Sequence, residues 1–324
     1  MRLSSGAAQT DQDQQVPAVG VVILNWNGWR DTKNAVVSAQ ALTWPNTHIY
    51  VVDNGSTDGS EEKLRALVPG LLLIQSGSNR GWSGGNNLGI QAALLDGCKH
   101  VLLLNNDARI RPDALTLLVA AAENLNNAAS VGALIIKSEN PSLVEFAGAD
   151  IDCRTEMPSP RFGHLSDIHL SPIPVPSATI KGCAMLLTAK GIAAVGMLTE
   201  DYFLNYDETD WCYRANQTGL QNYLVTAAIV EHKGALSFGG TEGPLYRYFM
   251  TRNRLVFAGR HLGRRGRWYA WRGAFWDLRQ PPGEGVTWLQ SCATILLAVA
   301  DYYRGRLGDC PPFVRAINRR VSSN

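Results

Sequence analysis

Three apolar runs in the first third of the chain constrain the fold most. They are Val19-Gly-Val-Val-Ile-Leu24, Ile49-Tyr-Val-Val-Asp53 and Val101-Leu-Leu-Leu-Asn-Asn-Asp107. Each is of strand length and nearly unbroken, as a strand covered on both faces requires. Helix-length segments separate them. One follows the turn Asn25-Trp-Asn-Gly28 and runs to Leu42, where Trp44-Pro45-Asn46 breaks it. A second is expected to be capped at Ser56 or Thr57, with Glu61 and Glu62 near its first turns. A third spans Gly84 to Leu95 after a glycine-rich turn, and Leu71 to Gln75 adds a strand. Strands alternating with helices predict an α/β fold: a Rossmann-like, mostly parallel sheet with flanking helices.

Past about Ala129 the alternation fades. Ser130 to Ile136, Thr179 to Thr188 and Tyr223 to Val230 keep strand character, while Arg154 to Pro176, rich in Pro, Ser and His, predicts a long loop. Pro112 suits the first turn of a helix, and Asp207 to Thr218 suits a helix ended by Gly219. Pro244 to Leu262 and Val286 to Arg304 read as helices. The expected division is a disordered tail over 1–17, a main domain over 18–243 and a basic, Trp/Arg-rich helical region over 244–324.

The chain has 324 residues, 45% of them hydrophobic, enough for one large domain with an appendage. Its net charge of +2 hides an asymmetry. From Arg247 to Asn324 there are 14 Arg, no Lys and 4 acidic residues, an excess of +10 that leaves −8 for the rest. Such a tail is either a solvated face or a contact for anionic lipid or a phosphate-bearing substrate. No nucleic-acid motif accompanies it, so nucleic acid is not an expected partner. The tail's Trp268, Trp271, Trp276 and Trp288 interleave with arginines. That suits a helix at the level of lipid headgroups, and equally a packed appendage.

Six cysteines without a CxxC pair favour free thiols in a reducing compartment. Met1 to Gln15 is polar and has no signal-peptide core. The apolar stretch Cys292 to Ala300 is far short of the ~20 residues that span a bilayer. The expectation is a cytoplasmic protein, able to rest on the inner face of the cell membrane.

Ligands of open α/β sheets bind at the carboxyl ends of the strands. Asp53 stands at one such end and could accept the imide N–H of a uracil or thymine ring, although Asp-Asn-Gly-Ser is also ordinary turn chemistry. Asn79-Arg-Gly-Trp-Ser-Gly-Gly-Asn-Asn87 is not GxGxxG. Gly84 and Gly85 would still let backbone approach a ligand, with Arg80 adding charge beside them. Asp107 is the metal candidate. Asn105 and Asn106 are neutral, and His232, after another strand, could supply the missing ligand and favour Mn²⁺ over Mg²⁺. Asp207-Glu-Thr-Asp-Trp-Cys-Tyr-Arg214 crowds three carboxylates among Tyr202, Phe203, Tyr206 and Trp211. Crowding of that kind raises a pKa toward general-base duty. Asp210, four residues from Arg214, suits an orienting role.

In this order the blocks resemble the family 2 glycosyltransferases of the GT-A fold, rhamnosyltransferase-like members above all, from about Val19 to Gly239. The resemblance implies inverting transfer of rhamnose or another hexose. The donor would be a nucleotide-diphospho-sugar (dTDP or UDP). The acceptor would be a saccharide or lipid-linked hydroxyl in cell-surface polysaccharide or glycolipid synthesis. It implies Mg²⁺ or Mn²⁺ on Asp107 and His232, with Asn25, Asp53, Asn79, Arg80, Gly84, Gly85, Asn106, Asp210 and Arg252 on the substrate side. The family usually has Glu-Asp where this chain has Asp207-Glu208, which leaves the base between those two. Two other readings stand beside it. One is a sugar-nucleotide nucleotidyltransferase, disfavoured because Asn25-Trp-Asn-Gly28 is not a basic glycine-rich loop. The other is a non-catalytic sugar-nucleotide-binding subunit, motivated by the poor metal triplet.

Overall fold

The computed structural model describes residues 16–234 and 243–322. Apart from its last two residues, the tail expected to be disordered lies outside them, as does the His232 block beyond residue 234.

The first half follows the expected alternation. It comprises β1 (Val19–Asn25), α1 (Trp29–Gln40), β2 (Thr47–Asp53), α2 (Ser60–Leu67), β3 (Leu72–Gln75), α3 (Gly81–Leu95), β4 (His100–Asn105), β5 (Ala108–Ile110), α4 (Ala114–Asn124) and β6 (Ala128–Lys137). Short strands come next: β7 (Leu143–Phe146), β8 (Ala149–Ile151), β9 (Pro158–Pro160), β10 (Gly163–His164), β11 (Val175–Ser177) and β12 (Ala184–Leu187). After them stand α5 (Ala189–Val195), α6 (Asp207–Gln217) and the long β13 (Gln221–His232). Four helices follow: α7 (Pro244–His261), α8 (Arg264–Asp277), α9 (Trp288–Tyr303) and α10 (Pro312–Ser322).

β3, β2, β1 and β4 are parallel neighbours in that order. β1 is paired level with both flanks, Asn25 beside Asp53 and Leu24 beside Asn105, so three polar strand ends share one rim. β12 runs antiparallel between β4 and β6, and β13 lies parallel to β6. The unbroken apolar runs are explained by their surroundings. Val21, Ile23, Leu102 and Leu104 pack with α1 and α4, while Val22, Val52, Val101 and Leu103 pack with α3 and α6.

Two local expectations shift. α2 starts at Ser60 rather than at Ser56 or Thr57, because Asp58 Oδ1 takes the Ser60 N–H at 3.0 Å. The long loop over 154–176 holds β9, which pairs with β8 in a separate ribbon, and β10, which pairs with β7 at the sheet edge. α5 was not apparent in the sequence pattern, and α8 and α10, within the region expected to be helical, had no bounds there.

Candidate active site

A chain of hydrogen bonds crosses the three strand ends. Asp53, 2% exposed, accepts Asn25 Nδ2 at 2.8 Å and the Ser56 hydroxyl on Oδ1, and Gln75 Nε2 at 2.8 Å on Oδ2. Asn25 Oδ1 accepts Thr32 Oγ1 at 2.7 Å, and Thr32 Oγ1 accepts Asn106 Nδ2 at 3.2 Å. Asp53 therefore stands at the expected strand end, but its oxygens face its own network. Asn25 and Asn106 are bound into that same network.

Asn106 and Asp107 form the tight turn between β4 and β5. β5 pairs antiparallel with the end of β13, setting Ala108 opposite His232. This pairing brings His232 Nε2 within 3.2 Å of Asp107 Oδ1. On its other side His232 Nδ1 lies 2.9 Å from Glu145 Oε2, and Glu145 also pairs with Lys181. Burial opposes a charge on His232, but its bonds to Asp107 and Glu145 prevail and raise its pKa to about 9. Burial likewise pushes Glu145 up, and His232 and Lys181 outweigh it, holding the carboxyl at about 2. Glu145 and Lys181 were missed in the sequence. Their only signal was a charge inside the short apolar stretches Leu-Val-Glu-Phe146 and Thr-Ile-Lys-Gly182.

The donor set fits a divalent cation. A carboxylate oxygen and an imidazole nitrogen are adjacent, and Glu145 orients the second ring nitrogen as outer-shell carboxylates do. Among the described residues no group of three or more His, Cys, Asp or Glu could hold a metal ion by itself. The remaining positions would fall to phosphate oxygens and water, the usual arrangement for such cations.

α6 opens with the acidic pair. Asp207 is 1% exposed and accepts Ser83 Oγ at 2.9 Å; burial, then the neighbouring Glu208 charge, push its pKa well up. Glu208 is half-buried. Burial raises its pKa as well, against backbone N–H groups, one of them Gly182's, and the Lys181 ammonium. Asp107, Glu145, Lys181 and Glu208 all act on the buried Cys183 thiol between them. The sheet and α6 thus bring five separate segments to one place.

The loop before α6 is unusual. Five non-glycine residues have positive φ among the described residues, and three of them are Phe203, Asn205 and Tyr206. Asn253 Nδ2 donates to Tyr202 O, Leu204 O and Asn205 O at 2.9, 2.7 and 2.9 Å. Arg252 donates to Tyr202 O at 2.9 Å and to Gly308 O at 2.7 Å. The expectation that Arg252 lies on the substrate side is corrected: the residue is 0% exposed, and its donors hold Tyr202 O of this loop and Gly308 O.

Other expectations need the same treatment. Gly84 and Gly85 do not open toward a ligand. A Cβ at Gly85 would lie 2.3 Å from Leu24 Cδ1, and one at Gly84 would lie 2.8 Å from Arg80 Cβ, so they serve close packing. At the start of α3 the Trp82 N–H donates to Phe203 O at 2.6 Å. Asn79 Oδ1 accepts Gly81 N and Asn54 Nδ2, and Arg80 pairs with Glu200 at 3.2 Å, so both are tied within the protein. Asp210 is a buried hub rather than a ligand contact. It takes Arg214 Nε at 2.8 Å, as its spacing implied, and also His261, Thr199 and Tyr202.

The fold superposes on that of GalNAc-T7 with UDP, GalNAc and Mn²⁺, covering 96% of this chain and 58% of that one, with a TM-score of 0.60 at 14% identity. It is the GT-A fold. Within that class the sequence adds a likeness: residues 20–171 match the model of glycosyl transferase family 2. The relatives that the chain is similar to include rhamnosyltransferases. The low-salt glycan biosynthesis hexosyltransferase of Haloferax volcanii is 27% identical over 64% of this chain and 65% of its own length. The dTDP-rhamnosyl transferase RfbF of Shigella flexneri is 24% identical over 72% of this chain and 78% of its own. The N-acetylglucosaminyl-diphospho-decaprenol L-rhamnosyltransferase of Mycobacterium tuberculosis is 24% identical over 80% of this chain and 88% of its own.

Proposed function

We propose that this protein is an inverting, cation-dependent glycosyltransferase. It moves rhamnose or another hexose from a dTDP- or UDP-sugar to an acceptor hydroxyl in cell-surface polysaccharide or glycolipid synthesis. The single observation carrying this reading is the convergence of Asp107 and His232 with Glu208 around Lys181 and Cys183. The dTDP-rhamnosyl and diphospho-decaprenol relatives support the donor and a lipid-linked acceptor.

Asp107 Oδ1 and His232 Nε2 would hold Mn²⁺ or Mg²⁺, which when bound offsets the charge of the leaving diphosphate. Glu208 is the base. It is the more open of the acidic pair, and a carboxylate with a raised pKa is a better proton acceptor. It takes the acceptor hydroxyl proton as that oxygen attacks the anomeric carbon from the face opposite the diphosphate. The bond to the diphosphate breaks as the bond to the acceptor forms, which inverts the centre. Asp207, buried against Ser83, keeps the start of α6 in place. The Asp53–Asn25–Thr32–Asn106 chain sets the rim on which the nucleotide lies.

No helix among the described residues is long and apolar enough to cross a membrane. Trp268, Trp276 and Trp288, each 56–64% exposed in the arginine-rich C-terminal region, support a peripheral site on the anionic inner face of the cell membrane, reached from the cytoplasm.

The test is product release from sugar nucleotides with Mn²⁺. Nucleoside diphosphate is the expected product. Pyrophosphate released, in a second assay, from a nucleoside triphosphate and a sugar 1-phosphate would indicate nucleotidyl transfer instead, and binding of the sugar nucleotide without turnover would indicate the non-catalytic subunit. Glu208→Gln should lower transfer on the order of 10²–10⁴-fold while the donor still binds. Turnover at the unmodified rate would remove Glu208 from the mechanism.

A further inference from the structure

The outermost strand of the parallel half-sheet ends in a carboxamide that is held on one side only. β3 closes the strand order here, and its Gln75 is level with Asp53 of β2, which is level with Asn25 of β1. Gln75 Nε2 donates to Asp53 Oδ2 at 2.8 Å and to Glu61 Oε2, in the first turn of α2, at 2.5 Å. An amide nitrogen has two N–H groups, and carboxylate oxygens accept them. Both N–H groups are engaged by the two acids, so the amide is fixed against turning over and Oε1 lies on its other side. Among the described residues nothing donates to Oε1, and Gln75 is exposed.

Its neighbours along the rim offer no comparable group. Asp53 is 2% exposed and already takes three donors, from Asn25, Ser56 and Gln75. Asn25 is 0% exposed; its Nδ2 donates to Asp53 and its Oδ1 accepts Thr32. Asp53 therefore lacks the open oxygen that an imide N–H of uracil or thymine would need, and Gln75 has one, a strand further out. The span fits as well. Asp107 follows the end of β4, and three strand spacings of about 4.8 Å separate β4 from β3, roughly 14 Å in all. A nucleoside diphosphate with its phosphates at the Asp107–His232 pair, laid across β1 and β2, brings its base to the end of β3.

We infer that Gln75 Oε1 accepts the imide N–H of the donor's uracil or thymine ring, which makes Gln75, rather than Asp53, the residue that selects the donor nucleobase. The inference rests on the transferase reading and deepens it. A ring that presents an N–H at this point replaces the water on Oε1 with a hydrogen bond. A ring that presents an acceptor or a methyl group there removes the water and returns nothing. Sites that hydrogen-bond a polar group of their ligand discriminate against analogues that lack it. With both N–H groups of Gln75 held by Asp53 and Glu61, none is left to meet the acceptor N3 of cytosine.

Calorimetric titration of the full chain, in Mn²⁺, with UDP and with N3-methyl-UDP, whose imide hydrogen is replaced, tests this. UDP should bind about five- to tenfold more tightly than its methylated form, the equivalent of one net hydrogen bond. Gln75→Met keeps the length of the side chain and removes the acceptor. This variant should bind UDP as weakly as N3-methyl-UDP, while its affinity for N3-methyl-UDP stays that of the unmodified protein and so reports that the site is folded. A preference for UDP that survives in Gln75→Met would return the base contact to Asp53 and overturn the inference. An equal fall in affinity for both nucleotides would give Gln75 a structural role only and overturn it too, as would equal binding of the two by the unmodified protein. Absence of any nucleoside diphosphate binding overturns the transferase reading itself.

Discussion

Neighbouring carboxylates in α6 have opposite fates because their surroundings differ. Asp210 would be raised by burial, but hydrogen bonds from His261, Thr199 and Arg214 outweigh that and hold its pKa far below the usual range. A depressed carboxylate stabilises the fold above its unfolded pKa and loses that contribution as pH falls through the folded value. Asp210→Asn should therefore cost about 3–5 kcal/mol at neutral pH, as for one partner removed from a buried pair. It should also flatten the loss of stability below about pH 4. Urea unfolding across pH checks this, and an unchanged acid limb would refute it. Glu208 is shifted the other way. A base works ionised, so transfer should rise with pH through a midpoint above the ordinary glutamate value. Because the Lys181 ammonium lowers that midpoint, Lys181→Met should move it further up. A pH–rate profile identical in the two proteins would separate Lys181 from Glu208.

At the scale of elements, α7 acts on α6 through the loop between them. Residues held at positive φ cost on the order of 1–3 kcal/mol each, and they persist only where their surroundings hold them. Asn253 supplies three of the bonds that hold Phe203, Asn205 and Tyr206. Asn253→Ala should lower kcat at least tenfold while donor affinity, set at the strand ends, changes little. An equal fall in donor affinity would mean the loop belongs to the donor site. α3 and β1 depend on close approach. A Cβ at Gly89 would lie 2.3 Å from Val22 Cγ1, a β-branched side chain with little freedom to turn away. The steric cost, about 1–3 kcal/mol, exceeds the ~0.5–1 kcal/mol that alanine returns in a helix. Gly89→Ala should therefore lower the denaturation midpoint rather than raise it.

For the whole molecule, an acidic body carries an arginine-rich C-terminal region, so anionic ligands meet positive charge where the helices gather. The strand-end rim and the Asp107–His232 pair should bind nucleoside diphosphate and cation as one unit. Ligand at 100 times its Kd stabilises a protein by about 2.7 kcal/mol. UDP or dTDP with Mn²⁺ should therefore raise the thermal midpoint more than either nucleotide alone, and Asp107→Ala should erase the Mn²⁺-dependent increment. Equal shifts with and without Mn²⁺ in the unmodified protein would take the cation out of the account.

The parallel half-sheet, the strand ends at Asn25, Asp53 and Asn105, and the acidic start of α6 were legible in the sequence. Each depends on periodicity and end chemistry within a dozen residues. What was not legible depended on neighbours far along the chain. Gly84 and Gly85 read the same whether a ligand or Leu24 comes close, because both need a missing Cβ. Arg252 read as a substrate-side residue until its carbonyl partners were in view. Glu145 and Lys181 were missed, because only their contacts with His232 and with each other mark them. The polypeptide alone determined which segments must be covered on both faces, since unbroken apolar runs cannot face water. Only the tertiary structure decided that Ala108 pairs with His232, and so that Asp107 finds an imidazole, because strand pairing between distant segments is set by the packing of the whole sheet.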